Sequence, residues 1–333
     1  MEFVRRSVSM EILDPARDFR PVTLRMEQRW DPLTGQGCRL LPPLNLFPPA
    51  TDDVAEWVMA AVPGCPFCPD RIEVVTPRFP EQIVGGGRLR RGEALLFPNL
   101  HPYARYSSVA VFSPRKHLLP LAEMTPALVG DNLAVQVAFA QAVTTHDPET
   151  SWVSVNANHL PPSGSSVLHP HTQGSVHPFP TTMQRLLASL PAESLAEYVA
   201  TERRTGRRYL GSSGTVEWVV GFAPTGPAEL RAVVHGVGSP EELGEDQLAE
   251  LGHGIATALT FYAELGFASY NLAVYGTGGR RTRPDMLLRM VCRANPAPWY
   301  RSDVMWLERL HDETAVDLWP EDVADRAQGR FRR

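Results

Sequence analysis

The sequence predicts an α+β protein built from two related halves that meet near Pro178. The same succession of predicted elements, strands followed by a helix and then further strands and a helix, occurs before and after this point. The 31 prolines are scattered along the chain, and many stand at segment ends, as is typical of short strands joined by irregular loops. We therefore expect an N-terminal half over residues 1–178 and a C-terminal half over residues 179–333, each an antiparallel sheet flanked by helices.

Composition excludes several classes of protein. A chain of 333 residues is long enough to bury a full core. The net charge of −5 gives no basic face for nucleic acid. We find no apolar run of the length of a signal peptide or a membrane span, and we expect a cytoplasmic protein without membrane contact.

The predicted elements of the N-terminal half begin with a strand pair within residues 10–41. Its turn lies at residues 31–35, where Asp-Pro opens the turn and Gly35 can take a positive φ. A short helix is predicted over residues 52–61. Further strands are predicted over residues 88–97, 107–112 and 152–156, and a helix over residues 125–144.

The C-terminal half repeats this order. It begins with a helix over residues 181–204 that is interrupted near Pro191. A second long helix is predicted over residues 246–265, with Gly266 as its C-cap. The predicted strands cover residues 216–222, 230–235, 270–275 and 286–292, and terminal helical segments start near residues 301 and 320.

Residues 153–178 form the central stretch of the sequence, with His169-Pro170-His171-Thr172-Gln173 in its middle. In an extended segment, His169, His171 and Gln173 point to one face. Such a face could bind a metal, could provide a nucleophilic imidazole for chemistry at phosphorus, or could be a polar surface loop. The preceding Gly-Ser-Ser run favours function, because backbone N–H groups and hydroxyls bind anionic oxygens.

Cys65 and Cys68 form a C-x2-C knuckle, which is half of a tetrahedral zinc site. The remaining ligands must be histidines, and the candidates are His101, His117, His146, His159, His169 and His171. His117 and His169 each follow a predicted strand and complete a Cys2His2 site. A turn without metal remains the alternative, and a redox pair is less favoured because no strand precedes the knuckle and no helix follows it.

Four blocks in this order resemble the galactose-1-phosphate uridylyltransferase family, a branch of the histidine-triad superfamily. They are residues 29–35 (RWDPLTG), 65–68 (CPFC), 112–117 (FSPRKH) and 158–173, which ends in HPHTQ. Weaker similarities extend the resemblance over most of the chain. It implies two fused histidine-triad-like halves.

The resemblance implies a nucleotidyltransferase that works by double displacement. His171 would attack the α-phosphorus of a nucleotide diphosphate sugar and carry the nucleotidyl group, and a phosphorylated acceptor would then remove it. The implied partners are thus a nucleotide or nucleotide sugar and a phosphorylated small molecule, and the protein would be a homodimer. Alongside His171 as the nucleophile, the implied substrate contacts are Asn158, Gly164, Ser165, Ser166 and Gln173.

The resemblance also implies a structural zinc ion, which would shape the active-site loop without activating water. Its ligands would be Cys65, Cys68, His117 and His169. The family's H-x-H in the last strand is absent from residues 288–293 (LRMVCR), so we expect no second metal.

The family's arginine-rich diphosphate-binding segment is also absent, since residues 41–46 read LPPLNL. Arg280, Arg281 and Arg283 could replace it, or they form a solvated basic turn. These departures leave open an enzyme with an altered substrate. Phosphate or water could also take the nucleotidyl group, which would give a phosphorylase or a hydrolase. A non-catalytic nucleotide-binding protein is less favoured, because it would not need His171.

Overall fold

The computed structural model describes residues 1–41, 54–276, 285–296 and 304–332. The N-terminal half begins with β1 (Arg5–Asp14), β2 (Arg20–Trp30) and β3 (Gly37–Leu40). The short helices α1 (Val54–Ala60) and α2 (Ile72–Val75) come next. They are followed by β4 (Leu89–Arg91), β5 (Ala94–Pro98), β6 (Tyr106–Val111), α3 (Pro126–His146), β7 (Trp152–His159) and β8 (His171–His177).

The C-terminal half opens with α4 (Thr182–Ala188) and α5 (Ser194–Thr205). Its sheet strands and long helix are β9 (Tyr209–Ser213), β10 (Val216–Val220), β11 (Leu230–His235), α6 (Glu245–Glu264), β12 (Ser269–Tyr275) and β13 (Asp285–Arg293). The last described elements are α7 (Trp306–His311), β14 (Thr314–Val316) and α8 (Pro320–Ala327). None of the helices in these ranges is long and apolar enough to cross a membrane.

One ten-stranded sheet runs through both halves in the order β4-β5-β6-β8-β7-β12-β13-β11-β10-β9. Each half contributes five strands to this sheet, β4–β8 from the N-terminal half and β9–β13 from the C-terminal half. From the outer edge to the centre, the five strands of each half follow the chain order first, second, third, fifth, fourth. The long helix lies between the third and fourth strand in both. The halves join where β7 pairs with β12 in antiparallel register. The predicted α+β fold of two related halves is therefore confirmed, and we propose that they divide at residue 178, between β8 and α4.

The long helices α3 and α6 pack against each other on one face of this sheet. Glycines allow their close approach: a Cβ at Gly252 would lie 2.8 Å from the carbonyl oxygen of Pro126 and 3.1 Å from the Cα of Gly130. Thr125 caps α3 by accepting a hydrogen bond from the N–H of Leu128 at 3.3 Å. The long helices thus cover one face. On the opposite face, α4 and α5 pack against strands of the C-terminal half.

One predicted element differs in the structure, and some observed elements were not predicted. The single strand predicted over residues 88–97 is wrong: β4 and β5 form a hairpin, because Gly92 takes a φ of 51° and turns the chain. Strands β9 and β14 and the short helix α2 were not predicted. The predicted interruption near Pro191 is confirmed, since it separates α4 from α5.

Residues 29–35 (RWDPLTG) connect the N-terminal strands to the C-terminal half through side-chain contacts. Asp31 Oδ1 accepts hydrogen bonds from the N–H groups of Leu33 and Thr34, both at 2.9 Å, which shapes the predicted turn. Its Oδ2 forms a buried ion pair with Arg231 of β11 at 2.5 Å. Strands β1, β2, β3 and β14 complete a separate four-stranded sheet.

Candidate active site and metal centre

Four buried side chains converge on the sheet face opposite α3. The ligand atoms of Cys65, Cys68, His117 and His169 all lie within 4.8 Å of one another. His117 Nδ1 is 3.3 Å from Cys68 Sγ, and His169 Nδ1 is 3.7 Å from Cys65 Sγ and 3.8 Å from Cys68 Sγ. Tetrahedral zinc with ordinary bond lengths places sulfur and nitrogen ligands about 3.6 Å apart. The group could therefore hold a metal ion.

Backbone carbonyls fix both imidazole rings of this group. His117 Nε2 donates to the carbonyl oxygen of Val58 at 3.1 Å, and His169 Nε2 donates to that of Ser113 at 2.8 Å. Because a carbonyl only accepts, the proton sits on Nε2 and the Nδ1 lone pair faces the cysteines. Burial lowers the pKa of His117, and lowers that of His169 to about 4. Both rings are thus in the neutral form that binds metals.

The thiols also fit a bound cation. Burial and the neighbouring Cys65 raise the pKa of Cys68 to about 12, so the Cys68 thiol stays protonated unless a positive charge stabilises its thiolate. The other histidines considered from the sequence, His101, His146, His159 and His171, lie outside this group.

His171 is the first residue of β8, and only 7% of its surface is exposed. Its Nδ1 donates to the carbonyl oxygen of His169 at 2.8 Å. Because this carbonyl only accepts, the proton sits on Nδ1, and the Nε2 lone pair of His171 is available for a reaction. Burial lowers the pKa of His171, against the opposing effect of the backbone hydrogen bond. The ring is thus held neutral and in one orientation.

A buried polar network holds β8 from the helix side. Thr172 Oγ1 donates to Asn132 Oδ1 at 2.5 Å and accepts from Gln136 Nε2 at 3.0 Å. Gln136 Oε1 accepts in turn from Ser108 Oγ at 2.7 Å. This network was not predicted from the sequence, although two amides on the buried side of a helix as apolar as α3 could have indicated it.

Residues 160–166, which we call the oxyanion loop, contain the Gly-Ser-Ser run that was predicted to bind anionic oxygens, and they are tightly turned. Leu160 and Gly164 adopt positive φ angles of 66° and 95°. The Ser165 hydroxyl donates to the carbonyl oxygen of Val167 at 2.7 Å, so this proton is used within the loop. Gly164 and Ser166 are exposed. The Gly164 N–H donates to the carbonyl oxygen of Pro161 at 2.8 Å, whereas the backbone N–H of Ser166 lies where a ligand could reach it.

Gln173 lies two residues beyond His171 on β8 and is half-buried. It pairs across the sheet with Asn156 of β7. Alternation along the strand places the side chains of His171 and Gln173 on one face, as predicted. His169, which was expected on the same face, precedes β8, and its ring lies in the Cys/His group.

The half-buried Asn158 of β7 connects the two halves. Its Oδ1 accepts from Asn271 Nδ2 of β12 at 2.6 Å. A cavity of about 350 Å³ spans the junction, and its lining includes Asn156, Asn158, Asn271 and Arg289. Arg289 is itself held by Glu229, at 2.7 Å. Sequence reasoning did not identify Asn156, Asn271 or Arg289 as site residues.

Some candidates considered from the sequence cannot be located. Arg280, Arg281 and Arg283 lie outside the described residues, as do all of residues 41–46 except Leu41.

Comparison with known proteins gives one relative and several similar structures. No family model matches the chain. An uncharacterised protein of Archaeoglobus fulgidus is 32% identical over 312 residues, which cover 90% of each chain.

Among solved structures, an ADP-glucose phosphorylase from Arabidopsis thaliana with bound ADP-glucose has a TM-score of 0.69, at 18% identity over 91% of this chain and 99% of that one. A GalT-like protein from the same plant has a TM-score of 0.68, at 18% identity over 91% and 98% of the two chains. A uridylyltransferase has a TM-score of 0.60, at 18% identity over 97% and 98%. These likenesses are likenesses of fold.

Proposed function

Because the chain belongs to the same family as the Archaeoglobus protein and has the galactose-1-phosphate uridylyltransferase-like fold, we propose that it is a nucleotidyltransferase. The enzyme moves a nucleoside monophosphate from a nucleotide diphosphate compound, such as a nucleotide sugar, to a phosphorylated acceptor. One observation carries this proposal: His171 is buried and neutral, with Nδ1 bound to the carbonyl oxygen of His169 and Nε2 available.

In the first step, Nε2 of His171 attacks the α-phosphorus and forms an N–P bond. The bond between this phosphorus and the bridging oxygen breaks, and the β-phosphate departs with its sugar. As the N–P bond forms, positive charge develops on the ring, and the carbonyl dipole of His169 stabilises the proton on Nδ1. In the second step, a phosphate oxygen of the acceptor attacks the same phosphorus, and the imidazole leaves with its lone pair restored.

Negative charge on the non-bridging oxygens needs donors that are already in place. We assign this role to the amides of Gln173 and Asn158 and to the backbone N–H of Ser166. The N–H groups of Gly164 and Ser165 donate to the carbonyl oxygens of Pro161 and Leu160, so these two residues contribute by shaping the loop. The Ser165 side chain contributes by shaping the loop, because its proton is used by Val167.

We propose that Cys65, Cys68, His117 and His169 hold a structural zinc ion. Four protein ligands close a tetrahedral site and leave no position for a reactive water. The ion would fix His169, and the backbone of this residue then orients His171. We assign no second metal.

Phosphorolysis is a second candidate, in which inorganic phosphate removes the nucleotidyl group. The likeness to an ADP-glucose phosphorylase along 99% of that chain favours it. Adding a hexose 1-phosphate or inorganic phosphate to the charged enzyme and following the products by ³¹P NMR distinguishes transfer from phosphorolysis. Loss of the nucleotidyl group with neither acceptor present would indicate hydrolysis.

Replacing His171 with glycine tests the proposal. His171→Gly leaves space for free imidazole, so we expect turnover to disappear and to return when imidazole is added. The matched control is His146→Gly, because His146 is exposed at the end of α3. Undiminished turnover of His171→Gly without imidazole would contradict covalent catalysis.

A further inference from the structure

Asn158 is the end of a chain of three polar side chains that crosses from the N-terminal to the C-terminal half. Asn271 Nδ2 donates to Asn158 Oδ1 at 2.6 Å and to the carbonyl oxygen of Ser163 at 3.0 Å. Arg293 donates from a terminal guanidinium nitrogen to Asn271 Oδ1 at 2.5 Å. Asn158 and Asn271 face each other across the β7–β12 pair, and Arg293 is the last residue of β13.

The two ends of this chain determine which way each amide points. A guanidinium can only donate, so the oxygen of Asn271 must face Arg293. The Ser163 carbonyl can only accept, so the NH2 group of Asn271 must face Ser163 and, with it, Asn158. Asn158 must then present its oxygen to Asn271. The NH2 group of Asn158 is therefore directed away from Asn271.

The NH2 group of Asn158 points toward the oxyanion loop. Its Nδ2 lies 3.7 Å from the position that a Cβ at Gly164 would occupy. A phosphate held beside this loop needs donors, and an amide turned around would present an oxygen to the anion and repel it. The direction of the Asn158 amide therefore matters for the transfer reaction.

We infer that Asn271 and Arg293 are positioning residues, which hold the Asn158 amide with its NH2 group toward the phosphate. The inference rests on the proposed function, because it assigns Asn158 to the reacting phosphate. Asn271 and Arg293 both come from the C-terminal half, so this half orients a group that acts in the N-terminal one.

The sharpest test is Asn271→Asp, which keeps the size of the side chain and its contact with Arg293. A carboxylate cannot donate, so it accepts from Asn158 and turns that amide around. We expect the rate of nucleotidyl transfer to His171 in a single turnover to fall by about 100-fold, the usual cost of losing one donor to a developing oxyanion.

A double-mutant cycle separates positioning from a general structural role. If Asn271 acts through Asn158, adding Asn271→Asp to the Asn158→Ala variant should reduce the rate of nucleotidyl transfer to His171 only slightly further. An equal loss in both backgrounds would show that Asn271 acts elsewhere and would overturn the inference. Arg293→Lys keeps a donor facing Asn271, and it should recover most of the rate that Arg293→Met loses.

A measurement without turnover checks the geometry itself. In protein labelled with ¹⁵N-asparagine, the side-chain NH2 of Asn158 should show a nuclear Overhauser effect to the Hα protons of Gly164, which Asn271→Asp abolishes. If this effect is missing in the wild type, or if Asn271→Asp forms the adduct at the wild-type rate, the inference is wrong. If the wild type shows the effect but forms no adduct with any donor, the proposed function fails, and the catalytic role of the positioning residues fails with it.

Discussion

His171 Nδ1 donates a hydrogen bond to the carbonyl oxygen of His169, 2.8 Å away. The ring of His169 belongs to the Cys65, Cys68 and His117 group, and its Nε2 donates to Ser113. His169 therefore links the candidate metal centre to the candidate nucleophile. Its ring is part of the metal centre, and its carbonyl oxygen accepts the hydrogen bond from His171. Changes to the metal group should for this reason affect both folding and catalysis.

Removing one thiol should empty the metal centre. We expect purified wild-type protein to contain one equivalent of zinc, and Cys65→Ser to contain much less, with a lower melting temperature and lost transfer activity, because binding of a structural metal contributes directly to folding. The control is Cys38→Ser, since Cys38 is buried in a different hydrophobic cluster from Cys65 and Cys68 and contacts Thr314. Elemental analysis measures the metal. Fully folded wild-type protein without metal would refute the zinc assignment.

The polar network beneath β8 should not tolerate an added methyl group. A Cβ at Gly174 would clash with Gln136 Oε1 and Ser108 Oγ, which forces Gln136 away from Thr172. We expect Gly174→Ala to lower the free energy of unfolding by about 1–3 kcal/mol, as overpacking of a core does, and to slow transfer to His171. Urea unfolding measures the first effect. Gly85→Ala, where the nearest atom is 3.8 Å away, should change stability little; equal losses in both variants would contradict this account.

Protonation of Glu229, which is completely buried, should lower the stability of the protein at acidic pH. Burial alone would raise its pKa, but Arg231 and Arg289 outweigh this effect and lower the pKa from 4.5 to about 2. A lowered pKa in the folded state stabilises the protein above the unfolded value, and this contribution is lost as the pH falls from about 4.5 to about 2. The full shift corresponds to about 3 kcal/mol.

Glu229→Gln tests this assignment. The variant should be less stable than the wild type at pH 7, and the difference should shrink as the pH falls through this window. Denaturant unfolding at several pH values measures it. A difference that stays constant with pH would exclude Glu229 as the titrating group.

Features that depend on neighbouring residues could be predicted from the sequence. The C-x2-C spacing predicts that Cys65 and Cys68 lie on one turn. His117 and His169 are 49 and 104 positions from Cys68 and Cys65; they were identified from their positions after strands and from the family resemblance, and the structure brings all four side chains together. Local signals also gave the turn at Asp31 and the cap at Thr125.

Features that depend on the pairing of distant strands could not be predicted. Asn158 and Asn271 are 113 positions apart, and nothing in either local sequence specifies that β7 pairs with β12 or in which register. The ion pair of Asp31 with Arg231 is of the same kind: each residue alone is unremarkable, and only the joined sheet brings them together. The contribution of the C-terminal half to the site therefore became visible only in the structure.

Intact-protein mass spectrometry tests the central claim most directly. The protein is incubated separately with UDP-, ADP- and GDP-sugars, and the same incubations are made with His171→Ala. The account predicts a mass increase of one nucleoside monophosphate with at least one donor, absent in the variant, and the size of the increase identifies the base. An unchanged mass with every donor, or an adduct that persists in His171→Ala, would contradict covalent transfer through His171.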